Sequence, residues 1–447
     1  MTALRPYQQH AVNEVRQRFR EGARSVLVVA PCGAGKGTIA AHLLASATRR
    51  GRRAAVIAPR LELVRDLAGR VTGASGEPVS IYAGADTEVV PGALVSVGTV
   101  QTLAARDVPL DLDLLIADEA HHATCASYRA VRAASPRAVL VGLTATPQRG
   151  DGAPLGDVFE RLVVAATTRE LTDAGHLVPV EVYAPQRPRD TPGTVLAMEP
   201  ADAYARWGEG RRAIVFCASQ AHAQAVAATI PGAASVESDL PDDERRRRLE
   251  AFACGDLRVL TNCMILTEGY NDPSVEFVIL ARGASHAGSY LQMVGRGLRP
   301  SPGKARCIFL DLVGACFNHG HPAAERDYSL EGTPIRAVVP PDFEIRTCTQ
   351  CGRAAELHAF QDSTCPYCGE RSKGRADPRV VRAEMERAHE EKMRRISSQK
   401  HVEALRQLVE DAKAKGHKPG AAFFGFQRKF HRFPTKAERA AAKGASQ

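Results

Sequence analysis

Three stretches of this 447-residue chain have the residue types and spacing for chemistry. The first is VVAPCGAGKGT, residues 28–38. Gly33 and Gly35 let backbone approach an anion closely, and a helix opening near Lys36 would aim its first N–H groups at that anion. Lys36 can reach outer phosphates, so Pro31, Cys32, Gly33, Ala34, Gly35, Lys36, Gly37 and Thr38 read as a phosphate site. One letter departs from G-x-x-x-x-G-K-[ST]. Gly37 stands where a Mg²⁺-binding hydroxyl usually follows the lysine, and Thr38 comes one place late. Either water fills that coordination position or Thr38 turns in. The second stretch is LDLLIADEAH, residues 112–121. An apolar strand ends in Asp118, suited to holding Mg²⁺ through water, and Glu119, suited to orienting or deprotonating an attacking water. The third is CTQCGRAAELHAFQDSTCPYCG, residues 348–369. Cys348, Cys351, Cys365 and Cys368 form two C-x2-C pairs whose spacing suits a closed, structural Zn²⁺ site. His358 is a bystander, because four sulfurs complete the shell.

The rest of the chain must position these groups. Up to about residue 180, apolar runs such as SVLVVA (25–30), AAVIA (54–58) and AVLVGL (138–143) alternate with helical stretches. That alternation predicts an α/β fold with a parallel sheet covered on both faces. Pro185, Pro188, Pro192 and Pro200 mark a linker over 181–200. The alternation restarts at AIVFCA (213–218) and runs to CIFLDLV (307–313), a second α/β unit over 201–338. A zinc ribbon over 339–375 and a basic helical tail over 376–447 follow. That tail holds 17 Lys and Arg against 9 Asp and Glu, nearly all of the chain's net charge of +9. An excess so placed suggests a polyanion partner, with a solvated, disordered tail as the alternative. If 416–434 is helical, Phe423, Phe426, Phe430 and Phe433 share a face beside Arg428, Lys429 and Arg432. That face either binds nucleic acid or docks the helix onto the body. The seven other cysteines are scattered, as in a reducing compartment. No signal pattern and no apolar run near about 20 residues is present, which predicts a soluble, cytoplasmic protein without a membrane partner.

GAGKGT also resembles the loop of adenylate kinases, which leaves a small nucleotide kinase as a rival until the rest of the chain is read. The ordered set of motifs instead resembles the DEAD/DEAH-box helicases of superfamily two. LRPYQQHAV (4–12) looks like their adenine-reading element, with Gln8 on the base edge and Tyr7 stacking. APRLELVRDL (58–67) and VGTVQTL (97–103) look like strand-end loops that grip a nucleic-acid backbone, with Arg60, Thr99 and Gln101 at the grip. GLTATP (142–147) looks like the element coupling hydrolysis to movement, and AIVFCASQAHA like the fourth motif. LTEGYNDP (266–273) resembles the fifth, with Thr267 on nucleic acid and Gly269 and Asn271 at the nucleotide. It departs from G-[FY]-D-x-P, so either Asn271 keeps the hydrogen bonding or Asp272 substitutes. YLQMVGRGLRP (290–300) resembles the sixth, with Gln292 and the arginine fingers Arg296 and Arg299. The resemblance implies two tandem RecA-like domains, ATP and Mg²⁺ in the cleft between them, and His121 linking ATP state to the second domain. A motor followed by a cysteine-rich module further resembles the RadD-like bacterial and phage DNA helicases. That implies a DNA partner in preference to RNA, and the reading includes a monomer. An RNA helicase, and a scaffold that binds ATP without turnover because of Gly37, remain alternatives.

Overall fold

A computed structural model describes residues 3–105, 111–149, 152–185, 196–267, 269–331, 345–371, 404–412, 414 and 426. The chain divides into two compact units, Met1–Ser372 and Lys373–Gln447. In the second, residues 404–412 are helical, and Leu405, Ala412 and Phe426 are buried. Arg428 and Lys429, expected to touch nucleic acid, lie outside the described residues.

The first unit contains two lobes. In lobe 1 the strands are β1 (Ser25–Val29), β2 (Ala54–Ala58), β3 (Val79–Tyr82), β4 (Val95–Thr99), β5 (Leu114–Asp118), β6 (Val139–Thr144) and β7 (Arg161–Val164). They form one sheet in the order β3-β4-β2-β5-β6-β1-β7, parallel throughout. β1, β2 and β5 are buried at every position, which is why they read as unbroken apolar runs. The pleat sorts side chains to two cores: Val26 and Val28 pack with Ile39 and Leu44, and Leu27 packs with Leu115 and Phe159. Those cores are completed by α1 (Pro6–Arg20), α2 (Lys36–Thr48), α3 (Leu61–Ser75), α4 (Val100–Ala105), α5 (Ala126–Ala133) and α6 (Thr168–Asp173).

Lobe 2 contains β8 (Val180–Tyr183), α7 (Pro200–Trp207), β9 (Ala213–Cys217), α8 (Gln220–Thr229), β10 (Ala233–Val236), α9 (Asp242–Cys254), β11 (Val259–Asn262), β12 (Phe277–Ala281), α10 (Ala287–Gly295), β13 (Cys307–Asp311) and α11 (Cys316–His319). A hairpin, β14 (Ile345–Thr347) and β15 (Arg353–Glu356), follows. The sheet order is β10-β11-β9-β12-β13-β8-β15-β14, parallel up to β8 and antiparallel beyond it. Two expectations are corrected. Residues 181–183 are not linker: they belong to β8, where Val182 is fully buried against the lobe-2 core, and Pro200 opens α7 as its first residue. The four-cysteine ribbon, expected as its own domain, is joined to the sheet of lobe 2, because β15 pairs directly with β8 through Arg353–Tyr183 and Ala354–Val182. Among the described residues no helix is long and apolar enough to cross a membrane.

Candidate active site

Every strand of lobe 1 points its C-terminal end toward one cleft. β1 runs into the loop Pro31–Gly35, and Ala30 is fixed by its N–H donating to the Thr144 carbonyl of β6 at 2.9 Å. Gly33 (φ 86°) and Gly35 (φ 77°) are left-handed, a conformation that disfavours any side chain. Crowding adds to this: a Cβ on Gly33 would lie 2.8 Å from Leu177 Cδ2, and one on Gly35 would lie 2.6 Å from Gln8 Nε2. Gly35 then starts α2 without a side-chain cap, so the helix presents backbone N–H groups to an incoming anion.

Lys36 Nζ stands 3.9 Å from Glu119 Oε1. Burial pulls the lysine pKa down, but Glu119, the Cys32 sulfur and Asp118 outweigh it, and the amine is held above its ordinary value as a firm cation. Asp118 ends β5 and is buried, as is Glu119, which follows in the left-handed region (φ 46°). A glutamate held at that φ stores strain, which a surrounding structure must enforce. Glu119 Oε2 is buried without a hydrogen-bond partner among the described residues, and His121 Nδ1 lies 3.6 Å from it. His121 Nδ1 also lies 3.3 Å from Thr144 Oγ1, whose hydroxyl donates to the Thr146 carbonyl at 2.6 Å.

Lobe 2 supplies the facing wall. Arg296 donates through Nη1 to the Tyr270 carbonyl and through Nε to the Gln292 carbonyl at 3.3 Å. Arg299 Nη1 donates to the same Tyr270 oxygen at 3.1 Å. Burial first, then repulsion from Arg296, lowers the Arg299 pKa to about 10. Two neighbouring cations sharing one carbonyl, Arg296 buried and Arg299 partly so, are an arrangement that an anion would relieve. The lobes meet tightly here: a Cβ on Gly295 would fall 2.3 Å from Cys32 Cβ, and one on Gly33 would fall 3.1 Å from Arg299 Cγ. Gln8, Cys32, Gly33, Gly35, Lys36, Gly37, Thr38, Asp118 and Glu119 therefore line the same cavity of about 1110 Å³ as Gly269, Asn271, Arg296 and Arg299.

Other expected residues sit elsewhere. Tyr7 is not on the cavity wall: its hydroxyl donates to the Ala34 carbonyl at 2.8 Å, and its ring lies 5.3 Å from that of His176. Gln8 is used on both sides, Nε2 donating to Ala34 at 3.0 Å and Oε1 accepting from the Arg5 N–H at 3.0 Å. Both therefore brace the phosphate loop. Pro31, Ala34 and Gln292 are absent from the cavity wall. Gln292 is buried and serves Arg296 through its backbone oxygen. Arg60 reaches across the cleft, Nη1 donating to the Ile265 carbonyl at 2.9 Å, and so ties the lobes together. Thr267 is buried in the turn after Met264. Thr99 caps the start of α4, its Oγ1 accepting from the Thr102 N–H at 3.3 Å, and Gln101 is exposed beside it. Of the two candidates in the fifth motif, Asn271 lines the cavity. Asp272 is tied into the fold by Arg212 at 2.9 Å and the Ser274 N–H at 2.9 Å. The cavity also gains Arg5, Asp66, Arg70, Ser238, Arg245 and Met264, which no motif singled out.

The cysteines form a second site. All four sulfurs lie within 4.8 Å of one another, with Cys348–Cys368 and Cys351–Cys365 both at 3.8 Å. A tetrahedron of Zn–S bonds of about 2.3 Å has sulfur–sulfur edges of about 3.8 Å, so the donor set fits Zn²⁺. The Tyr367 N–H lies 3.4 Å from Cys365 Sγ, the kind of contact that neutralises thiolate charge.

Two lobes closing on one cavity, with a phosphate loop and carboxylates on one wall and paired arginines on the other, have the arrangement of a two-lobed nucleotide-binding protein. Residues 1–149 match the family described as "Type III restriction enzyme, res subunit", and residues 200–301 match "Helicase conserved C-terminal domain". These two stretches resemble the paired domains of superfamily 2 helicases, a class of ATP-hydrolysing enzymes. It is 26% identical over 355 residues to a Saccharomyces cerevisiae protein designated an ATP-dependent helicase, IRC3, covering 70% of this chain and 52% of that one. It is 29% identical over 336 residues to a Halobacterium salinarum protein designated a DNA 3'-5' helicase, Rad25, covering 66% of this chain and 52% of that one. The chain thus spans about half the length of these relatives. Its fold is shared with a fragment of an HsdR subunit of a type I restriction enzyme from Vibrio vulnificus, at a TM-score of 0.57 and 24% identity, covering 73% of this chain and 66% of that one.

Proposed function

We propose that the chain is an ATP-driven DNA helicase or translocase. The observation that carries this reading is the single cavity walled by Lys36, Asp118 and Glu119 on one side and Arg296 and Arg299 on the other. Lys36 and the α2 N–H groups hold the outer phosphates, and Glu119 Oε2 orients the attacking water. Arg296 and Arg299 transfer from the Tyr270 carbonyl to the γ-phosphate and stabilise its developing charge. Mg²⁺, held through water near Asp118, would neutralise the phosphate oxygens. Hydrolysis is felt in lobe 2 along a contact chain: Glu119, His121, Thr144, Thr146. At its end, a Cβ on Gly288 of α10 would sit 2.7 Å from Thr146 Oγ1, and α10 leads directly to Arg296. Loss of the γ-phosphate lets the lobes separate, so that grips on the strand alternate.

DNA is favoured over RNA by the similarity to the archaeal protein designated a DNA helicase, and a RadD-like assignment by the cysteine module behind the motor. The module would hold Zn²⁺ structurally, and the basic tail with Arg428 and Lys429 would add phosphate contacts. The test is ATP turnover with single-stranded, duplex and forked DNA and with RNA, for wild type beside Glu119→Gln. DNA-stimulated turnover that falls at least about 100-fold in the variant is expected. Equal background rates in both proteins would leave an ATP-binding scaffold, and stimulation by RNA alone would move the substrate to RNA.

A further inference from the structure

Gly37, where the usual motif has a hydroxyl, differs in kind from its neighbours. Gly33 and Gly35 are left-handed and crowded, whereas Gly37 has ordinary helical backbone as the second residue of α2. Nothing in the chain's conformation demands glycine there. What surrounds it is two side chains from α3: a Cβ on Gly37 would touch Arg70 Cδ and Leu67 Cδ2 at 3.4 Å, with Arg70 Nε at 3.6 Å. A serine or threonine at 37 would bring its Cβ into van der Waals contact with the Arg70 side chain, so its hydroxyl and Arg70 would share the space beside α2. Arg70 lines the nucleotide cavity together with Lys36, Thr38 and Arg299. Its Nε donates to Asp66 Oδ2 at 2.7 Å, and Asp66 also lines the cavity. Held by that one edge, the guanidinium keeps two terminal nitrogens for an anion, in the geometry that makes arginine a phosphate ligand. It also stands close enough to Arg299 to help lower that residue's pKa, so both sense one field.

We propose that Arg70, steered by Asp66, is a third phosphate-binding arginine of this cleft and that glycine at 37 is what admits it. The space of the lost hydroxyl is thereby filled by a cation from lobe 1, acting directly on the triphosphate. This rests on the cleft being an ATP site, and its test separates the two ideas. Binding of a fluorescent ATP analogue and the KM for ATP are measured on the full chain for wild type, Arg70→Ala, Gly37→Ser, the double variant and Lys36→Ala. Arg70→Ala should weaken nucleotide binding and raise KM about tenfold, the scale of one charge-assisted hydrogen bond, with kcat at saturating ATP little changed. In the Gly37→Ser background, where the hydroxyl returns to its usual place, the same truncation should cost only about twofold. Arg70→Lys, which keeps the charge, should recover part of the loss. Melting temperature is followed in parallel, and the Arg70 side chain is 39% exposed, so its truncation should leave the fold intact. Binding within twofold of wild type in Arg70→Ala, while Lys36→Ala abolishes it, overturns the role of Arg70 and spares the cleft. Equal losses in both backgrounds overturn the replacement of the hydroxyl. Wild-type binding by Lys36→Ala overturns the cleft reading and this inference with it.

Discussion

Replacing Arg299 by methionine should make the nucleotide-free protein more stable and the enzyme slower. Arg299 is enclosed beside Arg296, and both guanidiniums lean on the Tyr270 carbonyl. Burial, followed by repulsion from Arg296, takes its pKa from 12.5 to about 10. Remaining charged at neutral pH therefore costs the folded state about 3 kcal/mol. Water at the cavity mouth screens part of that cost, and methionine forfeits a hydrogen bond worth about 1 kcal/mol. The net gain is about 1–2 kcal/mol, a rise in melting temperature of about 2 °C. The same substitution removes charge stabilisation from the transferring phosphoryl group, where an arginine finger is worth about 10³ or more in kcat. Thermal melts without nucleotide at pH 7.5, paired with single-turnover hydrolysis, measure both sides. Added ATP should raise the melting temperature of wild type more than that of the variant, because only wild type gains relief from the anion. A variant that melts below wild type, or that hydrolyses ATP at the wild-type rate, would refute the reasoning: Arg299 would then be a structural pin.

Removing the metal from the cysteine cluster should lower the melting temperature of the whole first unit, since β15 is hydrogen-bonded to β8 of lobe 2. A drop of about 5 °C after strong chelation, matched by Cys365→Ser and by loss of zinc in elemental analysis, is expected; melting that ignores both changes would disconnect the cluster from the lobe. Acid should weaken the fold through His321, whose pKa burial, Arg169 and Arg326 lower to about 4. Its unfolded form takes up a proton near pH 6.5, so the contribution is present above that pH and is lost as pH falls toward 4, to the extent of about 3 kcal/mol before screening. His321→Gln should flatten the stability profile between pH 4 and 6.5, and an unchanged slope would assign the acid sensitivity to other groups.

The strands and the phosphate loop were legible because continuous burial leaves continuous apolar runs, and because a backbone that must meet an anion needs glycine at 33 and 35. What escaped was decided by partners distant in sequence. Arg60 matches a strand-gripping pattern, yet its hydrogen bond goes to Ile265, 205 residues on. Gln8 and Tyr7 read as base contacts, but the Ala34 carbonyl, which no pattern can locate, takes both donors. The linker read from four prolines was drawn too wide at both ends: Pro200 opens a helix, a place that favours proline, and VEVY is too short a run to announce β8, while 186–195 lie outside the described residues. Arg70 lies on the polar side of an amphipathic helix, where sequence shows only another solvated charge. The substitution of Gly37 was visible from the start; its meaning required the neighbour on α3.

The seating of β15 on β8 gives the four cysteines a duty beyond holding a knuckle together. Stripped of that hairpin, β8 would offer a row of bare N–H and C=O groups along its flank, a ready template for a stray strand from another copy. The hairpin thus acts as a selvedge for the sheet of lobe 2, and a metal held by its cysteines would keep the molecule from clumping as much as keep it folded.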